Sequence, residues 1–124
     1  LPNNVALQKL EYSASGGREI FLSFEDAERD SLLGFLRLRL CKNGIAFVRE
    51  LHVYGEAVAI GEITASNIFT AQHRGYGKKL LAEAERISKE NKYKTLKILS
   101  GVGVKEYYRK LGYADDGIYV LKAL

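Results

Sequence analysis

Apolar and polar residues alternate with a period of two through much of the first half of the chain. In residues 33–41, Leu36, Leu38 and Leu40 fall on one face and Phe35, Arg37 and Arg39 on the other, the pattern of a strand buried on one side. Residues 5–12 and 18–24 read as two strands around the turn Ser13-Ala14-Ser15-Gly16-Gly17. The stretch 25–31 is polar and turn-like, and residues 45–54 form a further strand after the tight turn Lys42-Asn43-Gly44. These spacings predict an antiparallel meander. Residues 57–71 have weak periodicity and are expected to form a long loop. After Gly77 the period lengthens. Leu80, Leu81, Ala84, Ile87 and Ser88 recur at helical spacing, with Lys78, Lys79, Glu85, Arg86 and Lys89 mostly opposite them. Glu85 and Lys89 are spaced for an i, i+4 ion pair. A short apolar strand over 94–100 leads through Gly101-Val102-Gly103 to a short helix over 104–111, with Gly112 as its stop and strand character again at 118–121. No repeat, linker or low-complexity segment interrupts the 124 residues, so the expected fold class is a single α+β unit.

Composition narrows the function classes. At 47% hydrophobic and 27% charged residues, the chain has the balance of a folded protein, and folding at this length buries roughly two-thirds of its surface. One cysteine, Cys41, excludes an internal disulfide and a thiolate-bound zinc or iron–sulfur site, and two histidines leave no donor set for a structural metal. No apolar run approaches the ~20 residues of a membrane span and no basic-then-apolar leader is present, so a cytoplasmic protein without a membrane association is expected. The chain begins at Leu1 and contains no methionine, which suggests a piece excised from a longer protein. Charge is unevenly placed: residues 72–110 hold eleven Lys/Arg against four Glu, while the remainder is acidic on balance. A basic half suits a polyanion, nucleic acid or a phosphate-rich ligand, although lysines that merely solvate helix faces give the same count.

Gln72-His73-Arg74-Gly75-Tyr76-Gly77 sits between the strand-rich half and the amphipathic helix. Its glycines allow a sharp turn and close approach to a ligand, and the unpaired N–H groups of the helix start attract anions. Arg74, Lys78 and Lys79 add positive charge. The motif is neither a dinucleotide fingerprint, since Leu80 stands where a third glycine is needed, nor a P-loop. Gln-x-x-Gly-x-Gly at a helix entry, after one strand and before a second parallel one, resembles the acetyl-CoA site of the GNAT N-acetyltransferase superfamily. Tyr107-Tyr108-Arg109-Lys110-Leu111-Gly112-Tyr113 resembles the tyrosine-bearing helix and strand entry of the same superfamily. The chain also resembles a narrower family, the acetyltransferase-like domain of the Elongator catalytic subunit, of archaeal or bacterial type. Matching segments include Phe21-Leu22-Ser23-Phe24-Glu25-Asp26, Val48-Arg49-Glu50-Leu51-His52-Val53-Tyr54-Gly55, Ser100-Gly101-Val102-Gly103 and Tyr107-Tyr108-Arg109-Lys110, in order from about Leu10 onward.

The resemblance implies a GNAT fold: a mixed, mostly antiparallel sheet with splayed central strands and flanking helices. The pantetheine arm of acetyl-CoA would lie between residues 49–54 and 96–100, bound by backbone groups of Glu50, Leu51, His52 and Val53. Its pyrophosphate would rest on Gln72, Arg74, Gly75, Tyr76, Gly77, Lys78 and Lys79. Tyr108, with Tyr107 beside it, would reach the sulfur and help the thiolate depart; adjacent helix residues point about 100° apart, so one of the two is expected to face the ligand. His52 is the candidate base, with Glu50 as a second, while Cys41 reads as a small hydrophobic residue. Full-length members of the Elongator family pair this domain with a radical-SAM domain holding an iron–sulfur cluster and S-adenosylmethionine, and attach a carboxymethyl-type group to carbon 5 of the wobble uridine of tRNA. The implied partners are tRNA, that radical-SAM domain and Elongator-like proteins, and the implied domain is the whole of residues 1–124. With one cysteine this chain binds neither cluster nor S-adenosylmethionine. The connection from Leu40 to Ile45 is short for the family, and N-terminal helices usual in the superfamily are not evident. Two other readings remain open. A stand-alone lysine or protein N-acetyltransferase predicts an acidic cleft, for which Glu50, Glu56 and Glu62 are candidates. A coenzyme A sensor or RNA-binding scaffold is opposed by the intact Gln72, Gly75, Gly77 and Tyr108.

Overall fold

The computed structural model describes residues 5–58, 75–100 and 104–124. They form one seven-stranded sheet in the spatial order β1-β2-β3-β4-β5-β7-β6. β1 (Val5–Ala14), β2 (Gly17–Asp26), β3 (Ser31–Leu40) and β4 (Ile45–Val58) are consecutive antiparallel neighbours, the meander that the alternation predicts. Ser15 and Gly16, at φ 48° and 77°, make the two-residue left-handed turn between β1 and β2, whose twist matches that of the strands it joins. β4 then pairs parallel with β5 (Thr95–Leu99), β5 pairs with β7 (Tyr119–Ala123), and β7 with the short β6 (Ala114–Asp116). A parallel pair needs a crossover, and α1 (Tyr76–Glu90) lies within it. α2 (Lys105–Lys110) stands between β5 and β6.

The core occupies one face of the sheet. Leu22 of β2, Leu36 and Leu38 of β3, Val48 of β4 and Leu96 and Ile98 of β5 are buried there, and Leu80, Leu81, Ala84 and Ile87 of α1 cover them. α2 lies on the same side, since its Tyr107 reaches Gly77 and the following Tyr113 donates a hydrogen bond to Glu85 of α1. The opposite face carries Phe21, Phe35, Arg37, Arg39 and Phe47, and no described helix covers it. The fold is thus the expected α+β class, with a mixed, mostly antiparallel sheet.

Four local readings change. Residues 25, 26 and 31, read as turn-like, belong to the paired ends of β2 and β3, with Glu25 opposite Leu32 and Asp26 opposite Ser31. Residues 57 and 58 belong to β4, and the rest of the stretch read as a loop lies outside the described residues, as do Gly101-Val102-Gly103. β6 went unpredicted because Ala114-Asp115-Asp116 has no strand propensity. It forms through pairing with β7, with Asp116 also held 3.0 Å from Lys97 Nζ. Glu85 does not pair with Lys89; it turns inward to Lys122 Nζ at 3.1 Å and to the Tyr113 hydroxyl at 2.8 Å. No described helix is long and apolar enough to cross a membrane, and no group of three His, Cys, Asp or Glu among the described residues is placed to hold a metal.

Candidate active site

The sheet opens at one point. β4 and β5 pair from Ile45 opposite Thr95 to Val48 opposite Ile98, and no further. At the same level β4 carries one residue more than β3: Val48 opposes Leu38, Glu50 opposes Arg37, and Arg49 opposes nothing. This is a β-bulge, which bends its strand and sharpens the twist. Beyond it β4 stays with β3 and leaves β5. Backbone groups that β4 directs toward β5 after Arg49 therefore have no sheet partner among the described residues, and such an edge accepts an extended ligand with amides of its own. Glu50, Leu51, His52 and Val53 all lie on this segment.

The bulge also resets which side chains face which way. Strict alternation from Phe47 would turn Glu50 toward the core. Instead Glu50 stands opposite Arg37 and His52 opposite Phe35 on the uncovered face, while Leu51 and Val53 pack toward α1. Arg37 Nη1 donates to Glu50 Oε1 at 2.6 Å, so this carboxylate is held by a guanidinium and is poorly placed to serve as a base. His52 is half exposed, stacks on Phe35 at 5.0 Å between centroids, and brings Nε2 within 3.6 Å of Glu50 Oε2.

On the other side of the opening stands the start of α1. Gly75 precedes it at φ 80°, without a side-chain cap, and the first turn contains no acidic residue. Lys79 N–H makes the first bond back, to the Gly75 carbonyl at 3.0 Å. The N–H groups of Tyr76, Gly77 and Lys78 consequently lack helical acceptors and leave a positive end open. Lys78 and Lys79 are exposed beside it, with Lys79 Nζ 5.7 Å from the centre of the Tyr76 ring. Tyr76 itself is buried against Phe24, so only its backbone is available to a ligand. Gly77 is where three elements converge: a Cβ there would stand 2.9 Å from Tyr107 Oη and 3.2 Å from Val53 Cγ2. Any side chain would separate α1 from β4 and α2. Gln72 and Arg74 lie outside the described residues.

Tyr107 and Tyr108 diverge as helical geometry requires. Tyr107 is half-buried and points its hydroxyl at Gly77, whereas Tyr108 is buried edge-on between Tyr107 and Tyr113, at 5.3 and 6.1 Å between centroids. Tyr113 donates to Glu85 and Tyr93 to the Cys41 carbonyl, each at 2.8 Å. The hydroxyls of Tyr107 and Tyr108 have no such partner among the described residues. Burial pushes the Tyr108 phenol up to about 12, with a smaller contribution from Tyr107, and burial raises Tyr107 as well. A phenol that ionises less readily in the folded chain stabilises it fully below pH ~10, and that stability is lost as pH rises toward 12. The expected result is a urea midpoint that falls between pH 9.5 and 11.5, by about 1.4 kcal/mol of stability per pH unit for each such phenol, and falls less steeply in Tyr108→Phe. An equal slope in the two proteins would mean that Tyr108 ionises normally.

Sequence reasoning missed a cleft of about 360 Å³ on the uncovered face, lined by Arg37, Arg39, Phe47, Arg49, Glu50 and Tyr119 among others. The signal was present in the alternation that puts Arg37 and Arg39 on the polar face of β3. What it lacked was the bulge that brings Arg49 and Glu50 into the same opening.

A family model described as the acetyltransferase (GNAT) family matches residues 4–113. The chain belongs to this family. Within it, the chain is 45% identical to Elongator complex protein 3 of Danio rerio, over 99% of this chain and 24% of that protein. It is 49% identical to the tRNA uridine(34) acetyltransferase of Dehalococcoides mccartyi, over 95% of this chain and 28% of that protein. The solved structure of archaeal Methanocaldococcus infernus Elp3, with an N-terminal deletion, matches with a TM-score of 0.81 at 45% identity, covering 100% of this chain and 31% of that one. The chain thus spans about a quarter of the length of the curated relatives it matches. Within the GNAT family it is similar over nearly its whole length to Elongator-type proteins, and the split at Arg49 and the uncapped start of α1 are to be read as parts of an acetyltransferase fold.

Proposed function

We propose that this chain is the acetyl-CoA-binding and thioester-cleaving domain of an Elongator-type tRNA-modifying enzyme, supplying the acetyl-derived group for a carboxymethyl-type modification at carbon 5 of the wobble uridine. The observation that carries the reading is the opening of the sheet at Arg49 directly beside the uncapped start of α1. The pantetheine amides take the backbone partners that β4 lacks along Glu50, Leu51, His52 and Val53. The pyrophosphate takes the free N–H groups of Tyr76, Gly77 and Lys78, with Gly75 leaving the approach clear and Lys78 and Lys79 beside it; Gln72 and Arg74, outside the described residues, are assigned to it by the family resemblance alone. A nucleophile, water when no acceptor is present, bonds to the acyl carbon as the carbon–sulfur bond breaks. The proton it gives up ends on the released coenzyme A thiolate, whose developing charge is stabilised by a hydrogen bond from Tyr108, with Tyr107 lining the same passage. His52 stands on the far side of the split, where a base for the acceptor belongs.

In this reading residues 1–124 are the GNAT domain of a longer protein, and tRNA, a radical-SAM domain and Elongator-like subunits are its partners in the cytoplasm. An iron–sulfur cluster and S-adenosylmethionine belong to that other domain. A cluster needs several thiolates and Cys41 is the single one here, so no step of the chemistry at this site runs through it. The names of the relatives support tRNA as acceptor, and the ion pair that occupies Glu50 removes one of the three carboxylates expected of an acidic cleft for an amine; the Glu56 side chain and Glu62 lie outside the described residues.

The test is release of free coenzyme A thiol from acetyl-CoA by the chain alone, with a lysine-rich peptide, and with tRNA. Stimulation by tRNA is expected. Stimulation by the peptide and not by tRNA would replace this reading with a protein N-acetyltransferase.

A further inference from the structure

The cleft on the uncovered face meets the split from the side opposite α1, and its chemistry is specific. Arg37 is fixed by Glu50, and Arg39 by Glu19 Oε1 at 2.8 Å and the Ser15 carbonyl at 3.2 Å. Each pair holds a guanidinium in place. Arg49 differs: it is exposed, it is the extra residue of the bulge, and among the described residues it has neither an ion pair nor a side-chain hydrogen bond. A bulge re-aims the side chain it carries, and here it aims an uncommitted guanidinium into the opening. The apolar wall consists of Phe47 and Tyr119, in edge contact at 5.9 Å, with Leu99 beside them. Lys97 lies against Tyr119, its Nζ 5.7 Å from the ring centre.

An aromatic corner, a free planar fork and two braced arginines match one chemical unit well. Guanidinium groups bind phosphate oxygens with two parallel hydrogen bonds, and aromatic rings accept a nucleobase of any sequence by stacking. An ammonium group would meet the uncommitted charge of Arg49 and find no free carboxylate among the described lining residues, since Glu50 and Glu19 are already paired with Arg37 and Arg39. We infer that this cleft seats one nucleotide of an RNA strand, its phosphate on Arg49 and its base against Phe47 and Tyr119, and thereby selects a nucleic-acid acceptor over a lysine side chain. The inference rests on the proposed function, which places an acceptor at this split, and it adds the residues that choose that acceptor.

The experiment measures binding of a fluorescent anticodon stem-loop RNA to the chain by anisotropy across a salt series, for wild type, Arg49→Ala and Arg49→Lys, with acetyl-CoA binding to the wild type measured in parallel. Arg49 is exposed, and thermal melting checks that the variants remain folded. Arg49→Ala is expected to raise the RNA dissociation constant about tenfold and to reduce the slope of log affinity against log salt by about 0.7 to 0.9, the loss of one phosphate contact. Arg49→Lys keeps the slope while losing part of the affinity. A merely structural role would not move the slope. RNA carrying 4-thiouridine is expected to crosslink to peptides that contain Phe47 or Tyr119. A wild type that binds acetyl-CoA, with RNA affinity and slope unchanged in Arg49→Ala, overturns this inference and leaves the donor site standing. A wild type that binds neither acetyl-CoA nor RNA overturns both.

Discussion

Gly75→Glu is expected to weaken acetyl-CoA binding about a hundredfold while the chain remains folded. Gly75 sits at φ 80°, where any L side chain costs about 1–2 kcal/mol, and no described atom lies within 4 Å of the position its Cβ would take. The substitution is therefore strained without being crowded. The carboxylate would stand before the N–H groups of Tyr76, Gly77 and Lys78 and cap them, as aspartate does at ordinary helix starts, which offsets part of the strain. It would also occupy the anion's place. Two unit charges ~5 Å apart at an effective dielectric constant of ~20 repel by about 3 kcal/mol, or about two orders of magnitude in affinity. Gly75→Ala separates the two effects: it carries the strain and no charge, so it should lower the melting temperature by a few degrees and change affinity little. Calorimetric titration with acetyl-CoA and a thermal melt of each variant give both numbers. Equal affinity for the glutamate variant and wild type would remove the pyrophosphate from α1.

Much of this architecture could be read before any coordinates. The alternation of Leu36, Leu38 and Leu40 placed β3 with its buried face correctly, and the helical spacing of Leu80, Leu81, Ala84 and Ile87 placed α1 over it. Those patterns are local and repeat several times, so one exception does not erase them. The site depends on a single residue that breaks a pattern. Nothing in Val48-Arg49-Glu50 announces a bulge; it follows from β4 having to satisfy an antiparallel neighbour on one edge while parting from a parallel one on the other. Strict alternation therefore misplaces Glu50 relative to Phe47 and conceals the arginine cleft. Glu85 shows the same limitation on a helix. Its spacing to Lys89 is favourable, but Tyr113 and Lys122 arrive from distant sequence and offer a half-buried carboxylate two partners instead of an exposed one. Long-range partners outcompete a surface pair worth only about half a kcal/mol.

The two faces of the split differ in what they attract, and that difference orders the chemistry. The start of α1 offers unpaired backbone donors, and Gly77 brings it against Val53 and Tyr107 without room for a side chain. The face beyond offers guanidinium groups set on strands. Both would attract anions, the first suited to a diphosphate on a flexible arm and the second, on the inference above, to a phosphate in a strand with bases attached. Donor and acceptor would then approach the same opening from opposite sides, meeting at the level of Arg49.

Tyr108→Phe is expected to leave acetyl-CoA affinity within about twofold of wild type and to slow thioester cleavage by about 10²- to 10⁴-fold, the usual worth of a positioned proton donor or hydrogen-bond donor. Stability should change little, because the hydroxyl removed has no hydrogen-bond partner among the described residues, while the buried ring that packs between Tyr107 and Tyr113 is kept. The nature of its help follows from its acidity. An alkyl thiol ionises near 8.5, whereas burial holds this phenol at about 12, so full transfer of its proton to the departing thiolate runs uphill by about 3.5 units. On the proposed function, Tyr108 would therefore act by donating a hydrogen bond to the developing negative charge, and it would stay protonated through the alkaline range. Single-turnover cleavage should accordingly show no falling limb between pH 9 and 10.5. A limb centred near 10 would belong to a phenol in contact with water and would transfer the role to a more exposed group. Tyr107→Phe provides the paired measurement. Its hydroxyl stands against Gly77 at the start of α1, so its loss should alter affinity more than rate. If instead Tyr107→Phe abolished cleavage while Tyr108→Phe cleaved at the wild-type rate, the sulfur would be met at the surface of the split, and Tyr108 would serve only to brace the ring beside it.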